Sequence, residues 1–169
     1  MSPIDDRAVL EARARRLARA IDRAAPSTSL TVIERGGDRV AFRTSEVAAV
    51  LRSPHVVPLP GLPPVVCGLL SHRGDPLPVF DLRALLGAAT ADVIAVAVVL
   101  ESGSQPPLAL AADRVDETSV AQDDLRPARL DGPFSAMAHA TTAEGLVVLD
   151  AERLLADPRF VVSGGPGPT

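Results

Sequence analysis

Lysine is missing from this chain: all seventeen of its basic residues are arginine. Such uniformity reads first as codon bias and only second as selection for guanidinium chemistry, so no class of partner follows from it. Tryptophan and tyrosine are missing as well, and aromatic residues are only 2% of the chain. That scarcity excludes a base-stacking platform, and with a net charge of -4 it argues against nucleic-acid binding. It also dictates a core of Val, Leu, Ile and Ala, held by many small contacts. The single cysteine, Cys67, excludes an intramolecular disulfide and agrees with a reducing compartment. No stretch approaches eighteen uninterrupted apolar residues, and Met1-Ser2-Pro3-Ile4-Asp5-Asp6 lacks the basic and apolar regions of a secretory signal. The expectation is a soluble, cytoplasmic protein.

Signatures of bound groups are equally scarce. His55, His72 and His139 are too far apart in sequence to form a local metal motif. Gly36-Gly37 precedes a strand pattern and not a helix, and no phosphate-binding G-x-x-x-x-G-K-[ST] occurs. No metal and no cofactor are expected.

What is present is an apolar fraction of 47% in 169 residues, enough for one domain that buries roughly 68–70% of its unfolded surface. Residues 3–25 predict an amphipathic α-helix. Ser2 can cap it, Pro3 suits its first turn, and Leu10, Ala14, Leu17, Ile21 and Ala24 share one face. Its many arginines read as a solvated face or, less favoured, as a docking surface. Pro26 ends it. We therefore divide the chain into a helical extension (1–26), a domain (27–160) and a disordered Gly/Pro-rich tail (161–169).

Within the domain, Ser29–Arg35 and Arg39–Arg43 flank Gly36-Gly37-Asp38 as a hairpin. Ser45–Arg52 is ambiguous between a helical turn and a strand. Asp92–Glu101 is almost wholly apolar and predicts a strand buried on both faces, with Leu108–Ala112 as its partner and Asp113–Glu117 as a polar continuation. Gln122–Pro133 reads as loop, Phe134–Ala140 and Leu146–Leu149 as strands, and Ala151–Ala156 as a short helix. The fold class is all-β.

The most informative stretch is Leu59–Gly87. Pro64–Leu70 and Leu77–Phe80 read as strands around a turn at His72–Pro76, and Asp81–Gly87 as a capped helical turn. The series Pro64, Gly68, Leu69-Leu70, Arg73-Gly74, Pro78, Val79-Phe80, Asp81-Leu82-Arg83 and Leu86-Gly87 resembles the central motif of CheW-like domains, adaptor modules of bacterial chemotaxis and two-component signalling. The similarity extends outward over about residues 28–157. It implies two intertwined SH3-like five-stranded β-barrel subdomains with short helices. It implies a non-catalytic scaffold coupling the cytoplasmic tip of methyl-accepting chemoreceptors to a CheA-type histidine kinase, without direct membrane insertion. Positions matching Arg73, Gly68 and Val47 lie at or near the receptor surface of the family. We add Gly74 and Thr118 to the partner-binding set. The sequence departs from the family pattern at Ala49, usually glutamate, and at His72 and Thr118, usually apolar. Those departures keep open a regulator that binds the kinase but not receptors.

Competing readings of the same stretch are weaker. Cys67 and His72 could be imagined as a thiol and its base in a small enzyme, but a cysteine inside an apolar strand behaves as a small hydrophobe. Arg73-Gly74-Asp75 spells an extracellular adhesion tripeptide, which does not suit a cytoplasmic chain.

Overall fold

The computed structural model describes residues 26–88 and 93–161, together with Leu10, Glu11 and Arg13. Those three are helical; the rest of the helix expected over 3–25, and the tail expected to be disordered beyond Val161, lie outside the described residues. The strands are β1 (Ser27–Arg35), β2 (Asp38–Arg43), β3 (Val47–Arg52), β4 (Val66–His72), β5 (Asp75–Phe80), β6 (Val96–Ser102), β7 (Gln105–Ala112), β8 (Arg114–Ala121), β9 (Arg126–Pro127), β10 (Ala138–Thr141) and β11 (Val147–Leu149). One helix, α1 (Ala151–Ala156), follows them, and short 3-10 helices fill several connections.

The strands form two sheets, ordered β8-β1-β2-β11-β10-β9 and β3-β6-β7-β5-β4. The chain begins in the six-stranded sheet, builds all of the five-stranded one, and returns at β8 to complete the first. The expected intertwining of two β units is therefore present in the strand order. Five strands are present in one sheet as expected, and the two-residue β9 adds a sixth to the other.

Alternation explains how both sheets share one core. Along β6, Val96, Val98 and Leu100 enter a cluster between the sheets, while Ala97 and Val99 enter a second cluster on the other face. On β7, Leu108, Leu110 and Ala112 pair with the first set and Ala109 and Ala111 with the second. A period of two on a wholly apolar strand thus buries both faces. A third cluster, Leu30, Val32, Ala41, Ala140 and Val148, belongs to the six-stranded sheet alone. With so few aromatics, the contact of Phe80 with Phe160 matters: their rings meet edge-on at 5.2 Å and 68°, worth about 0.5–1.5 kcal/mol beyond area burial.

Four expectations are corrected. The turn expected over His72–Pro76 is only Arg73-Gly74, and Pro76 and Pro78 lie inside β5. They are tolerated because β5 pairs with β7 only at Val79 and Phe80, so the earlier residues need no donor on that side. Asp113–Glu117 does not continue β7: the chain bends at Asp113, and β8 pairs with β1 in the other sheet. Phe134–Met137 forms turns instead of strand, with the Met137 N–H donating to the Phe134 carbonyl. Gln122–Pro133 is not all loop, since it contains a 3-10 turn and β9. The ambiguous Ser45–Arg52 resolves into a 3-10 turn, Thr44–Glu46, followed by β3.

Candidate protein-interaction site

The β4–β5 hairpin carries most of the residues singled out by sequence. Its register pairs His72 with Asp75, leaving Arg73 and Gly74 as a two-residue turn. Both are left-handed, with φ of 54° and 91°, the arrangement of a type I′ turn whose twist matches the flanking strands. Glycine adopts that conformation freely, but an L-residue at the first position bears a steric cost of about 1–2 kcal/mol. Arg73 is exposed, so no burial compensates for this cost.

Beside the turn lies a groove of about 740 Å³. One wall is the β4–β5 hairpin, with His72, Arg73 and Pro76; the other is the β6–β7 hairpin, with Glu101, Pro106 and Pro107. Leu77, Leu108, Leu155 and Phe160 supply apolar lining. The groove therefore offers an apolar surface with charges of both signs at its sides, a combination suited to recognising a protein segment.

The other candidates do not converge on that groove. Gly74 shares the turn. Gly68, on β4, has φ of 149°, and a Cβ there would collide with the Val57 backbone carbonyl. Val57 pairs with Leu69 through reciprocal N–H···O bonds of 2.8 and 2.9 Å. Gly68 sits at a bulge between Val66 and Gly68 and admits the proline-rich connection to the edge of β4. Val47 stands at the start of β3, the opposite outer strand, half-buried against the inter-sheet cluster. Thr118 is exposed on β8, in the other sheet, opposite Leu30. Ala49 packs against the apolar cluster of the five-stranded sheet. The nearby carboxylate in sequence, Glu46, is committed elsewhere: it accepts from the Arg43 N–H at 3.0 Å and from the Ala151 N–H at the start of α1.

Cys67 and His72 do not form a catalytic pair. Five steps along an extended strand span about 16 Å, far beyond proton-transfer reach. Burial, reinforced by the Asp81 carboxylate and partly opposed by Arg35, pushes the Cys67 thiol up to about 11. It is therefore a protonated, poor nucleophile at neutral pH.

Sequence reasoning missed a buried ionic cluster at the far end of β5. Asp81 is fully buried and Arg35 is 4% exposed. Arg35 Nε donates to Asp81 Oδ2 at 3.0 Å, and its Nη1 donates to Asp113 Oδ1 at 2.6 Å and to the Val93 carbonyl at 3.0 Å. The other Asp81 oxygen accepts from the Arg83 N–H and caps the 3-10 helix Leu82–Leu86. Burial alone would depress the Arg35 pKa, but bonds to Asp113 and Asp81 outweigh it and raise the value. Asp113 is held below the usual carboxylate range, first by the Gly36 N–H and then by Arg35. The available signal was a charge ending each apolar run: Arg35 as the last residue of β1, Asp81 just after β5 and Asp113 just after β7.

These features can now be set against known proteins. A profile of the CheW-like domain matches residues 29–159. The chain belongs to the CheW-like domain family. The crystal structure of the scaffolding protein TtCheW from Thermoanaerobacter tengcongensis is similar with a TM-score of 0.65, covering 79% of this chain and 96% of that one. At 16% sequence identity the likeness speaks for a shared fold. No curated protein sequence gives a significant match. Among the described residues of this CheW-like chain, no helix is long and apolar enough to cross a membrane.

Proposed function

We propose that this chain is a non-catalytic adaptor of chemotaxis signalling that couples chemoreceptors to a CheA-type histidine kinase. The groove beside Arg73 receives the receptor's cytoplasmic tip. The observation that carries this reading is Arg73 itself: an exposed arginine in a left-handed turn, at the mouth of an apolar groove, in the position that matches the family's receptor-facing arginine. Backbone strain kept at an exposed residue points to recognition, because packing gains nothing from it. Coupling of this kind requires only a difference in binding free energy between signalling states.

The test is a titration of a receptor signalling-tip fragment from the same organism against wild type, Arg73→Ala and Arg73→Lys, with thermal melts alongside. Arg73→Ala weakens binding by roughly thirtyfold, corresponding to about 2 kcal/mol for a desolvated interface arginine, and leaves the melt nearly unchanged. Lysine rescues poorly if the guanidinium fork makes two bonds. Equal affinity in all three proteins removes the receptor from this groove.

Ala49 and Thr118 favour a second reading, a CheW-like regulator that binds the kinase but not receptors. Neither presents the partner-facing side chain usual in the family. A pull-down with both kinase and receptor separates the two, since the second reading retains the kinase alone.

A further inference from the structure

The turn at one end of β5 and the ionic cluster at the other are joined by one six-residue strand. From Asp75 to Phe80 the strand runs about 17 Å. It is bonded to β4 along its length and to β7 at Val79 and Phe80. Immediately beyond, Asp81 is tied down three ways. Its N–H donates to the Val65 carbonyl at 2.8 Å, one carboxylate oxygen caps the following 3-10 helix, and the other meets Arg35 of the six-stranded sheet. Asp113, at the chain's return crossing, completes the clamp by accepting from Arg35 and from the Gly36 N–H at 2.6 Å.

We propose that Asp81 is a positioning residue for the Arg73 turn. Through Arg35 and Asp113 it fixes the end of β5 against the six-stranded sheet, and so fixes where the hairpin presents Arg73 beside the groove. Apolar packing between the sheets is non-directional and tolerates small slides. A buried carboxylate shared between a guanidinium and a helix cap does not, since each bond has narrow angular limits. The cluster therefore sets register where the apolar core cannot.

The experiment compares amide hydrogen exchange in the full chain for wild type, Asp81→Asn and Arg35→Lys. A control variant, Val148→Ala, is destabilised in the six-stranded sheet's own cluster. Asparagine can still cap through its oxygen but loses the charge, and lysine keeps the charge but lacks the planar fork whose Nε and Nη1 reach Asp81, Asp113 and the Val93 carbonyl at separate points. Under conditions matched for global stability, exchange at 34–38 and at 69–78 rises about tenfold in both clamp variants relative to the control. Unaltered protection of 69–78, or a rise equal to the control's, overturns the proposal.

A second arm rests on the receptor reading. The signalling-tip fragment binds Asp81→Asn about tenfold more weakly although Arg73 is intact. If wild type binds the fragment and Asp81→Asn binds it equally well, the positioning role fails. If wild type does not bind it, the receptor reading fails, and the exchange arm alone decides the role of Asp81.

Discussion

Two turns of the same geometry serve this fold in opposite ways. Gly36-Gly37, between β1 and β2, has φ of 59° and 90°; Arg73-Gly74, between β4 and β5, has 54° and 91°. At the first turn the Arg83 guanidinium lies where a Cβ on Gly36 would be, so a side chain there must push the flexible end of that arginine aside. The flanking Arg35 and Asp113 bind that turn to the other sheet. At the second turn nothing crowds Gly74, and the strained position holds a large cationic side chain exposed to solvent. Identical backbone geometry is spent on packing in one case and on display in the other. The sequence signature Gly-Gly against Arg-Gly records that difference.

Breaking the anchored turn gives the largest expected effect. Asp81→Ala strips the buried Arg35 of one partner and the 3-10 helix of its cap, and breaking a buried pair costs about 3–5 kcal/mol. Denaturant melts measure it; a loss below about 1 kcal/mol would mean that the guanidinium is satisfied without Asp81, by partners that include Asp113 and the Val93 carbonyl. The Asp113 arm adds a pH signature. Its folded-state pKa is lowered, so its contribution is present above the ordinary value of 3.8 and disappears as pH falls through the folded value. In Asp113→Asn the acid limb of the stability profile should be correspondingly flatter.

Next in size is Gly68→Ala, on the strand that leads to the displayed turn. Its φ of 149° disfavours a side chain, and the obstruction is the Val57 backbone, which cannot swing aside. A loss of about 2–3 kcal/mol is expected, with the Val57–Leu69 bridge the first amides to exchange. A wild-type melt would show that the proline-rich connection yields freely.

The first turn can be dissected by comparing its two glycines. Gly37→Ala meets only left-handed strain, about 1 kcal/mol, since nothing lies within 4 Å of its Cβ position. Gly36→Ala meets the same strain and must also displace Arg83, which sits 3.7 Å from Asp38. It should cost about 0.5 kcal/mol more, since the flexible end of Arg83 and its exposed contact with Asp38 give way. Equal costs in the two variants would make Arg83 an incidental neighbour.

These contrasts also show what a sequence can disclose. The β6 and β7 strands were legible because burial on both faces leaves an unbroken apolar run, and the cap at Asp81 and stop at Gly87 because they are local. The bend at Asp113 was not, since the apolar residues of β7 pass directly into the β8 polar segment and only the partner strand distinguishes continuation from crossing. The groove was half legible. Arg73 announced itself through turn chemistry, whereas Pro106, Pro107 and Phe160 meet it only through tertiary folding. Arg35, Asp81 and Asp113 are 46 and 32 residues apart in succession, and no local pattern pairs them.

The smallest effect on stability, and the most discriminating for function, is expected from Arg73→Gly, which turns the displayed turn into a copy of the anchored one. Relief of left-handed strain favours the variant by about 1–2 kcal/mol. The larger conformational freedom of glycine in the unfolded chain takes back roughly 0.5–1 kcal/mol. The net change lies between zero and about 1.5 kcal/mol of added stability, so the melt should stay level or rise slightly. Affinity for the signalling-tip fragment should fall as far as in Arg73→Ala, because both remove the guanidinium. A residue kept for packing behaves in the reverse way, losing stability when truncated. A lowered melt in Arg73→Gly would therefore show that the arginine supports the hairpin, and the contrast between the two turns would reduce to a difference of residue type without a difference of role.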